Sequence, residues 1–173
     1  MKKIGDWQLN NINPYFTEIN YPIDRDKILD IAKRNRSRVT PYKKGSTGAQ
    51  LRKWQTKRDI WENEPYAQKV YFDFFEEFPL NKNFQPKMYF QEVNYQVPFH
   101  IDINSKSGLN FVISNDFESE LVFENGPTFK YRSGILNTVI PHSIITYSKR
   151  RILFKISSPE PYEDFVKRCK YVV

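Results

Sequence analysis

The sequence has little of several features that mark large classes of proteins. Its single cysteine, Cys169, excludes an internal disulfide and a cysteine-based zinc site. No apolar run approaches the roughly 20 residues that a membrane-spanning helix requires, and the basic N-terminus lacks the apolar segment of a secretory signal. A glycine-lysine phosphate loop and a Gly-x-Ser-x-Gly nucleophile motif are also missing. We therefore expect a cytoplasmic protein that does not associate with membranes.

Aromatic residues and basic charge are the abundant features. Aromatics make up 16% of the 173 residues, which is typical of a folded core and not of a disordered chain. The formal net charge is +7, and residues 33–58 contain ten lysines and arginines without one acidic residue. This stretch is either a patch for phosphate, nucleic acid or an acidic substrate, or a solvated segment of like charges.

The length predicts one domain over residues 1–173. The residue patterns divide this domain into a helical and loop part at 1–85, a β core at 86–158 and a tail at 159–173 that can add a short helix. Helix start and stop signals follow Asp24, and a second helix follows Pro65. The second helix carries a stripe that we expect to pack on the outside of a sheet: Ala67, Val70, Tyr71, Phe74, Phe75 and Phe78.

The β core is predicted to contain eight short strands separated by turn residues. Even spacing without intervening helices favours a sandwich or jelly roll over a parallel α/β sheet. Asn115-Asp116, Asn125-Gly126-Pro127, Ser133-Gly134 and Ser148-Lys149 are the expected turns. The predicted strands are Lys87–Val93, Pro98–Ile103, Leu109–Ser114, Glu120–Glu124, Thr128–Tyr131, Ile135–Val139, Ile144–Tyr147 and Arg151–Ser157.

Alternation along the second predicted strand separates two faces. Phe99, Ile101 and Ile103 share an apolar face, so His100 and Asp102 point the other way. The other histidine of the chain, His142, stands at the entry to the seventh strand. Two histidines and one carboxylate form a facial triad that binds a metal ion and leaves positions open for co-substrate and dioxygen. A pair of histidines that bind no metal, and a metal site without oxygenase chemistry, are the alternatives.

The last strand places a cation on the same inner face. Ile152, Phe154 and Ile156 form the apolar side, so Arg151 points inward, where a guanidinium can hold a carboxylate through two parallel hydrogen bonds. Arg150 has the opposite parity, and Lys155 shares the inner face as a second candidate anchor. The same parity turns three polar side chains of other strands inward: Tyr89, Gln91 and Asn110.

This set of residues resembles the iron(II)/2-oxoglutarate-dependent oxygenases, which are built on a double-stranded β-helix. The resemblance consists of His100-Ile101-Asp102, His142 and Arg151 across eight short strands, and it covers about residues 87–157. It implies that the triad binds ferrous iron and that the arginine holds the distal carboxylate of 2-oxoglutarate. The runs Pro141-His142-Ser143-Ile144 and Gly108-Leu109-Asn110-Phe111 resemble the branch of aspartyl/asparaginyl and prolyl hydroxylases, some of which lack the aspartate that is present here.

The resemblance implies a dioxygenase that uses Fe(II), 2-oxoglutarate and O2 to hydroxylate an amino-acid or peptide side chain. We expect Arg151, Asn110 and Tyr89 to contact the co-substrate, and Gln91 and Trp54 to contact a small-molecule or peptide substrate. Two alternatives are a nucleobase oxygenase and a non-catalytic metal-binding barrel. The first is disfavoured because the arginine-rich signature of nucleic-acid demethylases is missing near the last strand. The segment Arg38–Trp61 is either a lid over the barrel mouth or a tether. The oligomeric state stays open.

Overall fold

A computed structural model describes residues 12–35, 40–41, 51–55, 63–76, 85–93, 96–115, 118–146 and 151–173, with backbone only at 40–41, 51–55 and 93. These residues form three helices, α1 (Arg25–Arg34), α2 (Pro65–Phe74) and α3 (Tyr162–Arg168). They also form eleven strands: β1 (Phe16–Glu18), β2 (Thr40–Pro41), β3 (Leu51–Gln55), β4 (Lys87–Val93), β5 (Val97–His100), β6 (Ser107–Val112), β7 (Glu120–Phe123), β8 (Thr128–Lys130), β9 (Ser133–Asn137), β10 (His142–Ile145) and β11 (Arg151–Ser158).

The strands form two antiparallel sheets. The large sheet has the order β1-β9-β6-β11-β4-β3-β2, and the small sheet has the order β5-β10-β7-β8. From β4 to β11 the chain therefore passes repeatedly between the sheets, with β4, β6, β9 and β11 in one and β5, β7, β8 and β10 in the other. This is the jelly-roll topology of a double-stranded β-helix, and the predicted fold class is confirmed.

Two separate hydrophobic clusters cover the two faces of the large sheet. On β11, Phe154 and Ile156 belong to the outer cluster with helix residues such as Val70, whereas Leu153 belongs to the inner cluster with Phe123 of β7. Strand alternation is the cause, because successive side chains point to opposite faces of a sheet. The inner face of β11 therefore points into the barrel interior, the space between the two sheets.

The helices begin where the sequence predicts and pack on the outer face. Asp24 caps α1 by accepting a hydrogen bond from the Lys27 amide at 3.0 Å. Pro65 stands in the first turn of α2, whose predicted stripe is confirmed at the four buried positions Ala67, Val70, Tyr71 and Phe74. The predicted stripe residue Phe78 lies outside the described residues.

The described residues before position 85 contain strands in addition to the two predicted helices. They contribute β1, β2 and β3, which extend the large sheet on both edges; β3 pairs with β4 and β1 pairs with β9. Short strands of three and five residues give weak periodicity, so their pairing depends on the neighbouring strands of the core.

One predicted turn is wrong. Ser133-Gly134 lies inside β9, where Gly134 pairs with Asn110 on one side and Glu18 on the other. A Cβ atom at position 134 would overlap the ring of Phe16, so this glycine allows an aromatic side chain to lie against the strand. Its role is close packing and not a turn.

The predicted strand Pro98–Ile103 also needs correction. The strand β5 ends at His100, and Ile101 to Ser105 lead into β6. The apolar side chains that alternate with the two predicted ligands are not core residues, because Phe99, Ile101 and Ile103 are 47%, 50% and 91% exposed. β5 is an edge strand of the small sheet, which agrees with the exposure of these side chains.

Candidate metal centre

The two histidines face each other across neighbouring strands. His142 at the start of β10 pairs with His100 at the end of β5, and their ring centroids are 4.5 Å apart. One ligand atom from each of His100, His142 and Asp102 lies within 4.8 Å of the others, which is close enough for one metal ion. The His142 ring is buried, whereas the side chains of His100 and Asp102 keep 38% and 23% exposure, so the cluster is reached from solvent.

Both imidazoles are held in the tautomer that a metal ligand needs. Nδ1 of each ring lies 2.9 Å from the carbonyl oxygen two residues earlier, Pro98 for His100 and Ile140 for His142. Because a carbonyl oxygen only accepts, Nδ1 carries a proton in both rings, so Nε2 is the nitrogen that provides a lone pair in the neutral form. Burial lowers the pKa of His142 to about 4, so this ring is neutral and able to donate its lone pair at physiological pH.

Asp102 lies just beyond β5 and is positioned by the turn that follows. Its amide donates to the Thr138 carbonyl at 3.1 Å, and one of its carboxylate oxygens lies 3.5 Å from the Ser105 hydroxyl. The Ser105 hydroxyl lies 3.3 Å from the Thr138 hydroxyl, which donates to the Ser105 carbonyl at 3.1 Å. These contacts join the β5–β6 and β9–β10 connections, so the carboxylate and both histidines are held by one rim of the barrel.

Arg151 is the most unusual residue of the barrel interior. It is fully buried at the start of β11, and its Nε, Nη1 and Nη2 have no hydrogen-bond partner among the described residues. Its guanidinium lies over the ring of Tyr131, 5.1 Å from the centroid. A buried guanidinium without an acceptor is costly, and a carboxylate is the group whose geometry matches its fork of donors.

Tyr131, which the sequence interpretation did not select as a site residue, lies in the same interior. Its hydroxyl accepts a hydrogen bond from the Asn110 amide at 2.9 Å. Asn110 Oδ1 and Gln91 Oε1 are buried acceptors without a described partner. Alternation could have identified Tyr131, because it follows Phe129 at a spacing of two while Thr128 and Lys130 point to solvent.

Lys155 and Tyr89 form a second polar group further along β11. Lys155 is buried and pairs in register with Tyr89 of β4 and Asn110 of β6; its ammonium lies 5.6 Å from the Tyr89 ring centroid. The Tyr89 hydroxyl lies 3.0 Å from the Ser157 hydroxyl. Burial lowers the pKa of Lys155, but attraction by Tyr89 and Asp102 outweighs that effect, and the net result is a raised pKa and a charged side chain.

Some predicted residues are not described in atomic detail. The backbone of Trp54 pairs with Phe90, but its side chain lies outside the described residues, as does Arg150. Of the segment Arg38–Trp61, the structure describes only the hairpin of β2 and β3 at the edge of the large sheet. A lid and a tether both stay predictions, as does the choice between Arg150 and Arg151.

Comparisons with known proteins agree with the observed fold. A prolyl-4-hydroxylase of Pseudomonas putida superposes with a TM-score of 0.54 over 86% of this chain and 94% of that chain, at 8% sequence identity. An oxidoreductase of the 2OG-Fe(II) oxygenase family from Burkholderia pseudomallei gives 0.48 over 79% of each chain, at 10% identity. Neither a family model nor a curated protein sequence matches the chain. The comparison with the prolyl-4-hydroxylase therefore confirms the resemblance at the level of the fold: the chain is a double-stranded β-helix of the kind seen in that protein.

No helix in the described part of the chain has the length and apolar character that crossing a bilayer requires.

Proposed function

We propose that the protein is an iron(II)- and 2-oxoglutarate-dependent dioxygenase that hydroxylates an amino-acid or peptide side chain. Its metal ligands would be His100, His142 and Asp102, with Arg151 as the anchor of the co-substrate. Iron bound with 2-oxoglutarate at such a site supplies activation of dioxygen, with oxidation of a C–H bond and decarboxylation of the co-substrate to succinate.

The observation that carries this proposal is the orphaned guanidinium of Arg151. A zinc hydrolase also uses two histidines and one carboxylate, so the ligand set does not decide between the two chemistries. The guanidinium has three buried nitrogen donors without a partner among the described residues, and it lies on the inner face of the strand that follows the distal histidine, so a carboxylate in the barrel would satisfy it. A hydrolase has no need for this second anchor, whereas a dicarboxylate co-substrate requires one.

The residues present fit the implied metal and co-substrate. Neutral His142 and the two matched Nδ1–carbonyl hydrogen bonds leave both Nε2 atoms as donors. Tyr131 covers one face of the Arg151 guanidinium, which keeps the fork in place for a carboxylate. Partial exposure of His100 and Asp102 supports a substrate that enters from solvent, and the exposed apolar side chains of Phe99 and Ile101 would contact its outer part.

The test is turnover of 2-oxoglutarate to succinate without added substrate, followed by NMR in the presence of ferrous iron and air. We expect slow turnover by the wild type and none by His100→Ala, because that variant loses one of three metal ligands. The fold should survive, since the His100 side chain is 38% exposed. Lys130→Met, which removes a surface lysine paired with Glu118, is the matched control and should resemble the wild type.

The result that would refute the proposal is equal succinate formation by the wild type and His100→Ala, or none by either with iron bound. Bound iron is measured separately by atomic absorption after gel filtration. A nucleic-acid substrate would instead be indicated by salt-sensitive binding to a random oligonucleotide.

A further inference from the structure

The barrel interior contains a second buried cation that the proposed anchoring of the co-substrate does not use. Lys155 follows Arg151 by four positions on the inner face of β11, and only 8% of it is exposed. Along an extended strand, four residues correspond to about 13 Å between Cα atoms. The two cations therefore serve different parts of the barrel.

Lys155 lies nearer than Arg151 to the rim of the barrel that carries the metal ligands. It pairs with Asn110, three residues from the start of β6, and β6 follows the connection that contains Asp102. Arg151 lies two positions before Leu153, which pairs with Val112 at the other end of β6. Attraction by Asp102, which is one cause of the raised pKa of Lys155, agrees with this placement. No ion pair of the described residues joins Lys155 to a carboxylate, and its ammonium lies 5.6 Å from the ring centroid of Tyr89.

A count of charges gives the reason to expect a further anion. Among the described residues identified above in the barrel interior and metal centre, Arg151 and Lys155 are cations and Asp102 is the anion. A divalent metal ion adds two positive charges and 2-oxoglutarate adds two negative charges. One positive charge of this set is then left without a counter-charge among the described residues, and a buried charge is unfavourable unless an anion pairs with it.

We propose that Lys155 binds a carboxylate group of the substrate, next to the metal ligands, so that the substrate is an acidic amino acid, a free amino acid, or a peptide with an acidic side chain at that position. The single remaining charge matches a carboxylate monoanion better than a phosphate dianion. This inference rests on the proposed function and assigns its substrate class.

The experiment uses protein loaded with Mn²⁺, which is redox-inert here, and saturated with 2-oxoglutarate so that the co-substrate positions are filled. The probe is carbon-13-labelled acetate, whose nuclear relaxation is enhanced when it binds near the paramagnetic ion; acetamide is the neutral probe of the same shape. The variants are Lys155→Met, Lys155→Gln and Lys155→Arg, with Lys130→Met as the surface control, and circular dichroism reports folding.

We expect acetate to bind the wild type, Lys155→Arg and Lys130→Met, and acetamide to bind none of them. Lys155→Met and Lys155→Gln should bind acetate at least about tenfold more weakly because they lack the charge. The affinity for 2-oxoglutarate should change by less than about threefold, because its anchor is elsewhere.

Three results would overturn the inference. Unchanged acetate binding in folded Lys155→Met and Lys155→Gln would show that the lysine holds no substrate carboxylate. A parallel loss of 2-oxoglutarate affinity, with no acetate binding in the wild type, would assign Lys155 to the co-substrate. Failure of the wild type to bind 2-oxoglutarate would overturn the proposed function, and this inference with it. This result is distinguished from the first two because it is seen in the wild type without any substitution.

Discussion

Replacing Arg151 with methionine should stabilise the ligand-free protein and at the same time strongly weaken its affinity for 2-oxoglutarate. The guanidinium is fully buried and its three nitrogens have no described acceptor, so the folded state bears the cost of desolvating them. An unsatisfied buried polar group costs about 1–3 kcal/mol, and a charged group costs more. Methionine retains much of the volume without the donors, so we expect the free energy of unfolding to rise by about 1–3 kcal/mol.

The same change should weaken co-substrate binding strongly. Truncating one partner of a desolvated charge pair costs about 2–5 kcal/mol, which corresponds to roughly 30-fold to several-thousand-fold in Kd. Thermal unfolding with and without 2-oxoglutarate, on manganese-loaded protein under anaerobic conditions, measures the binding effect. At about 100 times its Kd, the co-substrate stabilises the wild type by about 2.7 kcal/mol, and about 1 kcal/mol shifts Tm by roughly 2–4 °C at this chain length.

The expected pattern is thus a higher Tm for ligand-free Arg151→Met and, when 2-oxoglutarate is added, a much smaller further rise than in the wild type. Lys130→Met controls for the loss of one positive charge, since that lysine is half exposed. The reasoning is refuted if ligand-free Arg151→Met is less stable than the wild type, or if 2-oxoglutarate stabilises both proteins equally. The first result would mean that the guanidinium has acceptors in the folded protein.

Two further predictions concern pH and packing. The pKa of His142 is about 4 in the folded protein and near 6.5 in the unfolded chain, so the unfolded state binds more protons between these values. The contribution of neutral His142 to the free energy of unfolding of metal-free protein should therefore be fully present above about pH 6.5. The free energy of unfolding should then decrease by up to about 3 kcal/mol as the pH drops toward about 4. Urea titrations at several pH values measure this decrease, and a pH dependence of His142→Gln as steep as that of the wild type would contradict it. Gly134→Ala should lower the free energy of unfolding by about 1–3 kcal/mol, because the new methyl group overlaps Phe16. Adding Phe16→Leu to this variant should recover part of the loss. A urea midpoint of Gly134→Ala equal to that of the wild type would refute the assigned contact.

Local alternation was sufficient to predict the inner residues of the barrel strands. The alternation along β11 predicts that Arg151, Leu153 and Lys155 point away from the face that carries Phe154. The two hydrophobic clusters agree, because Phe154 belongs to the outer cluster and Leu153 to the inner one. The prediction works because the side chains of a strand alternate with a period of two in any sheet. It was weaker at β5, where the strand ends at His100 and the apolar residues that alternate with the ligands are exposed.

By itself the sequence determined which residues are candidates for the metal and co-substrate sites, where the strands of the β core begin to within two residues, and which face of β11 is apolar, because composition and periodicity are properties of the chain segment alone. The tertiary structure decided what each face meets. It brought His142 opposite His100 from a distant strand and placed the Arg151 guanidinium over Tyr131, with no acceptor among the described residues. It also used Gly134 for close packing with Phe16. These features depend on which strands become neighbours, and a periodic pattern does not encode the identity of the neighbour across a sheet or across a barrel.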